Sequence, residues 1–227
     1  LDALAEDGSV VALAPADRNT ATGLREVERA VEDEGATVYA PTVRLWPHET
    51  PSGECWSFDV KPDLAVPPFQ RRLDEGSRDR EPTPGPEIDA SDREPGDGEF
   101  VNVDVQYAYG VWRTDGTRRL AYQPDPEQAA KMADAEDYVT QRVNLAAVKL
   151  SHDLSDGGNP LFLIGDGSEQ VDHFAVYTER SALNEDLQRA DYGDGLYFEN
   201  ALVLWNDDER AYNVVVDGET VVDLVPT

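Results

Sequence analysis

The sequence holds little sulfur and little lysine. It has one cysteine, Cys55, and three lysines among 227 residues. A single thiol cannot form an internal disulfide, which is typical of a reducing compartment. No run of about 18 apolar residues and no charged-then-apolar leader occurs, so we expect neither a membrane span nor a secretion signal. We therefore expect a cytoplasmic protein.

Basic charge is scarce as well. The sequence has 47 acidic and 19 basic residues, which gives a formal net charge of −28. Acidity with so few lysines is typical of proteins from halophilic archaea, because carboxylates hold water and cations whereas long lysine stems add apolar surface. At molar salt the Debye length falls to about 3 Å, and the repulsion between these charges is screened. The acidity therefore does not exclude a nucleic-acid partner.

The chain also lacks the unit with which a parallel α/β sheet normally starts. Residues 1–8 are typical of a helix end and a turn, and the apolar stretch Val10–Ala14 before Pro15 predicts a buried strand. No initiator methionine and no strand, glycine-rich turn and helix stand before it. We interpret the chain as the back half of a larger sheet, whose ligand chemistry usually lies in the other half.

A helix is predicted after this strand, over residues 17–34. Three apolar residues recur at helical spacing and predict its buried face, namely Leu24, Val27 and Val31. Four charged residues are assigned to the opposite face, namely Arg25, Glu26, Glu28 and Arg29. The candidate N-terminal caps are Asp17, Asn19 and Thr20. Gly35 ends the helix, and a strand at residues 37–40 completes a β–α–β unit.

The next segment, residues 42–99, is predicted to be a long insertion. Residues 42–73 are expected to form an ordered loop because they carry large apolar anchors, namely Trp46, Trp56, Phe58, Leu64 and Phe69. Residues 78–99 are acidic and almost without large apolar side chains, so we expect a mobile loop.

Alternating apolar and polar residues then predict a strand over residues 101–113. Asp115-Gly116 predicts a turn into a returning strand, Arg118–Tyr122. A helix is expected at Glu127–Ala135.

Residues 137–227 are predicted to be a separate β-rich domain that follows a first domain of residues 1–136. Strands are expected at 139–151, 160–165, 171–178, 195–205, 210–216 and 220–225. One helix, Ala182–Ala190 with Ser181 as its N-cap, lies between the third and the fourth. Three strands, a helix and further strands are the order of an oligonucleotide/oligosaccharide-binding (OB) barrel. The alternative is a β-sheet with one helix that does not close.

Three stretches of the first domain carry a family resemblance. They are Thr37-Val38-Tyr39-Ala40-Pro41 with Trp46-Pro47-His48, then Cys55-Trp56-Ser57-Phe58, then Phe100 with Tyr107-Ala108-Tyr109-Gly110-Val111-Trp112-Arg113. In this order they resemble the methyltransferase-like proteins of the small ribosomal subunit. These are class I S-adenosylmethionine-dependent methyltransferases that include mitochondrial ribosome assembly factors. The resemblance covers residues 1–120, and the last domain fits the family's β-rich extension.

The resemblance implies the distal part of a Rossmann-like α/β sheet, with strand 101–113 antiparallel between the two strands before it. It also implies S-adenosylmethionine as the cofactor of the complete protein. The glycine-rich turn that holds this cofactor is absent here, so the catalytic and cofactor-binding residues are unknown. The family's iron–sulfur cluster is not expected, because such clusters generally take four thiolates, Thr42 replaces the first of them, and Cys55 is the only thiol. A mononuclear metal held by Cys55 and His48 is the less favoured alternative.

Arginines close to aromatic residues form the candidate RNA contacts. The candidates are Arg71, Arg72, Arg113, Arg118, Arg119, Trp112 and Tyr122. Guanidinium groups pair with phosphates, and aromatic rings stack on bases. The alternative is that these arginines pair with neighbouring carboxylates.

Three functions remain open. The first, implied by the resemblance, is S-adenosylmethionine-dependent rRNA methylation or assembly of the small ribosomal subunit. The second is a non-catalytic RNA- or ribosome-binding module, and the third is a protein-interaction domain without an RNA role. The expected partners are rRNA and the small ribosomal subunit, not DNA or a membrane. The three histidines, His48, His152 and His173, lack metal-ligand spacing, so no metal site is predicted.

Overall fold

The computed structural model of the protein describes residues 4–5, 7–41, 43–49, 56–78 and 104–226. No helix in these ranges has both the length and the apolar composition needed to cross a bilayer.

The chain forms two compact units. One is Val60–Gln106, and the other joins residues 1–59 to residues 107–227. This spatial division differs from the domain boundary expected at 136–137, which stays a prediction. The mobile loop predicted at 78–99 lies outside the described residues except for its first position, which ends a helix.

The first half of the described chain contains β1 (Ser9–Pro15), α1 (Arg18–Asp33), β2 (Thr37–Ala40), β3 (Asp59–Lys61), α2 (Pro68–Arg78) and β4 (Val105–Arg113). β4 pairs in antiparallel fashion with both β1 and β2, so it lies between them. Trp112 of β4 is opposite Val10 of β1 and Val38 of β2. The predicted order and directions of these three strands are therefore confirmed.

β1 is less buried than its apolar sequence predicts. Val11 and Leu13 are 61% and 71% exposed, whereas Val10, Ala12 and Ala14 pack into the apolar cluster shared with α1. Successive side chains of a strand point to opposite faces, and α1 covers one of them. The expectation of a strand buried throughout is therefore wrong for the other face.

α1 begins and ends where the sequence predicts. The Asp17 carboxylate accepts a hydrogen bond from a first-turn amide at 3.0 Å and caps the helix. Gly35 follows the end with a φ of 93°, a conformation that favours glycine. The predicted faces are wrong in part, because Arg25 and Glu28 are buried while Val27 is half exposed. These two charges can be buried because they bind each other and groups from other segments.

The insertion is more regular than predicted, since it contains β3 and α2. Pro68 opens α2, which fits the preference of proline for the first position of a helix. Among the expected apolar anchors, Trp46 and Phe58 are buried, whereas Trp56, Leu64 and Phe69 are exposed. Only part of the expected anchoring is therefore present.

The strand predicted to return after β4 does not form. β1 and β2 already occupy both edges of β4, so residues 118–122 have no free edge to join. The backbone N–H of Arg119 donates instead to the carbonyl of Tyr39 at 2.9 Å.

The helix predicted at 127–135 is also wrong. A turn and then a 3₁₀ helix, Met132–Tyr138, take its place. Ala130 forms a parallel β-bridge with Leu145, and this extended contact interrupts any helix through the segment.

The last part contains β5 (Arg142–Lys149), β6 (Leu161–Gly165), β7 (His173–Tyr177), α3 (Asp186–Arg189), β8 (Gly195–Asn206), β9 (Ala211–Val216) and β10 (Val221–Leu224). The strand order β8-β5-β6-β7-β9 returns to β8, so five strands close a barrel, and β10 pairs with the outer side of β8. β7 and β9 are parallel and the other neighbours are antiparallel. The predicted OB-like barrel is confirmed by this closure and order.

The helix expected between the third and fourth barrel strands is shorter than predicted. Its regular part is α3, which has no side-chain cap. The Ser181 hydroxyl accepts a hydrogen bond from the Leu183 amide at 3.2 Å, within the turn that precedes α3. Ser181 therefore stabilises that turn and does not cap the helix.

The barrel has one apolar cluster inside and another outside. The inner cluster includes Leu145, Phe162, Ile164, Leu196, Phe198 and Val214. The outer cluster joins barrel residues Val148, Leu163 and Phe174 to Val43, Leu45, Leu120 and Tyr109. The outer face of β5, β6 and β7 is therefore covered by the chain's own segments before and after β4.

Candidate functional site

A cavity of about 440 Å³ lies where the segments before and after β4 meet. Its lining residues are Glu32, Arg44, Leu45, Trp46, Pro47, His48, Glu49, Gly116, Arg118, Leu120, Ala121, Tyr122 and Gln123. We call it the arginine cavity. Its volume is within the range of small-molecule sites.

Arg118 supplies the available positive charge of the arginine cavity. Its guanidinium donates a hydrogen bond to the backbone carbonyl of Arg44 at 3.1 Å. Among the described residues no carboxylate lies within ion-pair distance of it. Tyr122, also in the lining, is half-buried, and burial raises the pKa of its hydroxyl. A cation and an aromatic ring thus share one concave surface.

The second arginine of this cavity is already neutralised. Arg44 is buried, and its guanidinium lies 2.6 Å from the Glu32 carboxylate and 3.3 Å from that of Glu28. Glu28 also binds Arg25 at 2.6 Å, and Arg25 donates to the carbonyl of Tyr109. We call Arg25, Glu28, Glu32 and Arg44 the buried charge network. Its two positive and two negative charges balance, and Arg44 and Glu32 are the members that line the cavity.

Trp46 forms a wall that is tied to the barrel. Its indole N–H donates to Asp166 at 2.6 Å, and the Leu45 amide donates to the Asp166 carbonyl at 2.9 Å. Lys131 lies 5.3 Å from the centre of the Trp46 ring and forms an ion pair with Glu49 at 2.8 Å. The β6–β7 loop that contains Asp166 therefore positions this wall.

That loop is built around two acidic side chains. Glu169 accepts hydrogen bonds from the amides of Asp166 and Gly167 at 3.1 and 2.7 Å. Burial, and then the charge of Asp166, raise the pKa of Glu169 to about 8. Gly167 has a φ of 87°, and a Cβ there would lie 1.8 Å from the carbonyl oxygen of Val43. The predicted Asp166-Gly167 turn is thus a point of close contact between the barrel and the segment before β3.

The structure separates the seven predicted RNA-contact residues. Arg118 and Tyr122 share the arginine cavity. Arg113 forms an ion pair with Asp115, and Arg119 forms one with Asp194 at 2.6 Å. For these two arginines the alternative, pairing with neighbouring carboxylates, is therefore right.

Three of the predicted RNA-contact residues lie elsewhere. Trp112 is buried in the cluster beneath α1. Arg71 and Arg72 are exposed on α2, in the unit Val60–Gln106, and Arg72 donates to the Pro68 carbonyl at 3.3 Å. The structure therefore assembles only one of the predicted arginine–aromatic pairs into a concave surface among the residues described.

A second cavity, of about 300 Å³, lies beside the end of α3 and the loop after β5. Its lining residues are Asp59, Lys149, Ser151, His152, Asp153, Phe162, Gln188, Ala190, Asp191 and Tyr192. We call it the aspartate cavity. Sequence reasoning missed it, because its residues come from four separate segments and no motif joins them.

No group of three or more His, Cys, Asp or Glu side chains within the described ranges could hold a metal ion. Cys55 lies outside those ranges, so the expected absence of an iron–sulfur cluster stays a prediction. His173 is buried in the barrel, and burial lowers its pKa.

The last part of the chain matches a known family model. A model described as the C-terminal domain of a domain of unknown function, DUF8157, matches residues 133–225. Among solved structures, the chain is similar to the solution NMR structure of the OB domain (residues 67–166) of MM0293 from Methanosarcina mazei. That likeness has 16% sequence identity and a TM-score of 0.29, and covers 39% of this chain and 76% of that one. No curated protein matches the chain. The family match spans all strands of the barrel.

Proposed function

We propose that the protein is an RNA-binding module that uses the arginine cavity to hold a nucleotide of single-stranded RNA. The observation that carries the proposal is Arg118, whose guanidinium has no carboxylate partner among the described residues of a strongly acidic protein and lies in one cavity with Tyr122. Guanidinium pairs with phosphate through fixed N–H donors, and a tyrosine ring stacks on a base.

The usual ligand surface of an OB barrel gives less support to RNA binding. That surface comprises the outer face of the second and third strands with two loops. Here Leu163 and Phe174 of that face pack against Val43 and Leu45. The β8–β9 turn carries three consecutive acids, residues 207–209, which repel phosphate. The arginine cavity is therefore the better candidate for nucleic-acid contact.

Replacing Arg118 tests this proposal. A charged hydrogen bond contributes about 1.5–3 kcal/mol, so Arg118→Ser should weaken binding of a single-stranded RNA oligonucleotide roughly 10- to 150-fold. The measurement is fluorescence anisotropy in molar KCl, where counterion release adds little affinity. Arg189→Ser is the matched control, because Arg189 is an exposed arginine on α3 outside the cavity. Equal affinities of Arg118→Ser and the unmodified protein would reject the proposal.

Tyr122 gives a second measurement at the same site. Tyr122→Ala should lose the stacking of one base, about 1–3 kcal/mol, whereas Tyr122→Phe should retain it. A loss in both variants would point to the hydroxyl and against stacking.

The strand order supports a wider proposal, that this module belongs to a methyltransferase-like protein of the small ribosomal subunit. β4 lies antiparallel between β1 and β2, as the resemblance implies. The residues described do not fit the cofactor, S-adenosylmethionine. The carbonyl of Ala16, at the end of β1, accepts the indole N–H of Trp56 at 2.7 Å, and no glycine-rich turn follows.

Cofactor binding and ribosome binding separate the two proposals. Calorimetry with S-adenosylmethionine on the full-length protein should give a binding heat if the methyltransferase proposal is right. Co-sedimentation with small ribosomal subunits in high salt, without such heat, would support a non-catalytic module. Absence of both would favour the protein-interaction alternative.

A further inference from the structure

The loop between β6 and β7 is bonded to one wall of the arginine cavity. We call residues 166–169 the clamp loop and residues 43–46 the wall segment. The Asp166 carboxylate accepts the Trp46 indole N–H at 2.6 Å, and the Asp166 carbonyl accepts the Leu45 amide at 2.9 Å. A single residue of the clamp loop therefore holds two neighbouring residues of the wall segment.

The wall segment in turn positions the arginine of the cavity. The guanidinium of Arg118 donates to the backbone carbonyl of Arg44 at 3.1 Å. This carbonyl lies one residue before Leu45, whose amide is bonded to the clamp loop. Hydrogen bonds weaken steeply when donor and acceptor are misaligned. The strength with which Arg118 binds a phosphate therefore depends on where the wall segment lies.

The clamp loop is packed tightly between the wall segment and the 3₁₀ helix. A Cβ at Gly167 would lie 1.8 Å from the carbonyl oxygen of Val43, so the two backbones touch. On the other side, the Met132 amide donates to the Asp166 carboxylate at 3.0 Å. Close-packed contacts of this kind transmit displacement from one segment to the next. A change within the clamp loop therefore reaches the wall segment.

Two carboxyl groups meet inside the clamp loop. Glu169 is half-buried and accepts the amides of Asp166 and Gly167 at 3.1 and 2.7 Å. It is also close enough to the Asp166 carboxylate for a hydrogen bond, which requires a proton on one of the two groups. Burial first, and then the charge of Asp166, raise the pKa of Glu169 to about 8, although the amides favour its ionised form. The pair therefore holds one proton at neutral pH.

Titratable groups also reach the clamp loop from the elements packed against it. Lys131 faces it from the segment before the 3₁₀ helix and forms an ion pair with Glu49 at 2.8 Å. Asp134, on that helix, is acidic and close to Lys131. His173, at the start of β7, is buried and has a lowered pKa, so it is neutral at neutral pH. Arg44 of the wall segment belongs to the buried charge network. None of these groups relieves the repulsion between two ionised carboxylates in the loop.

We propose that the clamp loop is a proton-controlled switch of the arginine cavity. While Asp166 and Glu169 share a proton, the loop holds the wall segment where Arg118 meets a phosphate of the RNA. When that proton is lost, two like charges repel each other inside the loop. The wall segment then shifts, and RNA binds more weakly. This inference rests on the proposed function and adds the regulation of the same site.

The pH dependence of RNA binding tests the switch. Oligoadenylate is titrated in molar KCl and followed by fluorescence anisotropy, because adenine does not ionise near neutral or mildly alkaline pH. The apparent affinity is proportional to the fraction of protein in the binding form. With a pKa of about 8, this fraction and the affinity should fall roughly tenfold between about pH 7 and pH 9. A constant affinity over this range would overturn the inference.

Glu169→Gln separates the switch from other effects of pH. Glutamine imitates the protonated acid, since its oxygen accepts the amides and its N–H groups donate to Asp166. This variant should lose the pH dependence and bind roughly tenfold more tightly than the unmodified protein at about pH 9. Glu209→Gln, at an exposed glutamate of the β8–β9 turn, is the matched control and should keep the dependence. An effect of His48, which lines the cavity, would persist in Glu169→Gln and would reject the switch.

The movement of the wall segment is measurable without RNA. The indole proton of Trp46 is hydrogen-bonded to Asp166 and gives an NMR signal that Trp46→Phe identifies. This signal should shift with a midpoint near pH 8 in the unmodified protein and stay constant in Glu169→Gln. A Trp46 signal that does not change with pH in the unmodified protein would contradict the inference.

Arg118→Ser distinguishes the switch from the proposed function. RNA binding that depends on Arg118 but not on pH would reject only the switch. RNA binding indifferent to Arg118, together with a Trp46 signal that titrates, would reject only the proposed function.

Discussion

The barrel and the sheet with α1 are stabilised in different ways. The inner cluster of the barrel is apolar, with Leu196, Phe198 and Val214 enclosed by five strands. The buried side of α1 instead carries Arg25 and Glu28 beside Ala21 and Leu24. One part of the chain thus packs by apolar shape, and the other by paired charges as well.

This difference has a physical consequence for mutation. In an apolar core, the loss of free energy of unfolding increases with the volume of the cavity that a truncated side chain leaves. Replacing a whole buried ion pair by well-packed apolar side chains changes the free energy of unfolding little. Removing only one partner lowers it strongly, because the other charge stays buried without compensation. The two regions should therefore respond differently to single and combined substitutions.

The largest effect is expected from Glu28→Ala. It leaves Arg25 and Arg44 without a shared carboxylate and should lower the free energy of unfolding by about 3–5 kcal/mol. Urea unfolding in molar KCl measures this. Glu26→Ala, at an exposed glutamate of the same helix, should change it by less than about 0.5 kcal/mol.

A combined variant sharpens the same prediction. Arg25→Met, Glu28→Leu, Glu32→Gln and Arg44→Met together should cost less than Glu28→Ala alone, because all four charges of the buried charge network are then removed and none is left without a partner. If the combined variant loses more free energy of unfolding than Glu28→Ala, the attraction between the paired charges itself stabilises the fold. The prediction that the pairs only offset the cost of burying charge would then be wrong.

A comparable loss is expected in the barrel from Leu196→Ala. Leu196 is fully buried, and such truncations cost about 2–5 kcal/mol. Leu224→Ala, at an exposed leucine of β10, is the control and should have little effect in the same unfolding experiment. If Leu196→Ala and Leu224→Ala unfold at the same urea concentration, the barrel does not depend on its inner cluster.

A change of pH should act on stability through one group, Glu169, in the β6–β7 loop that contacts the segment before β3. With its pKa raised from 4.5 to about 8, Glu169 is protonated in the folded state and ionised when unfolded between these values. Stability should therefore be greatest below pH 4.5 for this group and fall as the pH rises through about 8. Glu169→Gln should remove that slope, as unfolding midpoints across the range would reveal. Identical slopes in both proteins would contradict the prediction.

Local sequence signals predicted the barrel well. Its strands are short runs rich in apolar residues, and Asp-Gly pairs mark three of the turns between them, so each strand is found within a few residues of its expected limits. The limits of α1 were equally predictable from Asp17 and Gly35. Each of these signals acts between neighbours in the chain, and no distant partner is needed to interpret them.

The sites were only partly predictable. Arg118 and Tyr122 were identified because a guanidinium beside an aromatic ring is a local pattern. The presence of Arg44 in the arginine cavity, and of Asp59 and His152 in the aspartate cavity, had no such signal. These residues come together only through folding, so no spacing in the sequence reveals them.

The sequence by itself determined the acidity of the protein, the approximate limits of the barrel strands and the helix after the first strand. Only the tertiary structure decided that Arg25 and Glu28 are buried while Val11 and Leu13 are exposed. The physical reason is that periodicity reports which residues share a face, whereas the partners of that face are supplied by other segments. Arg44 and the carbonyl of Tyr109 are the partners that make it possible to bury charge on α1.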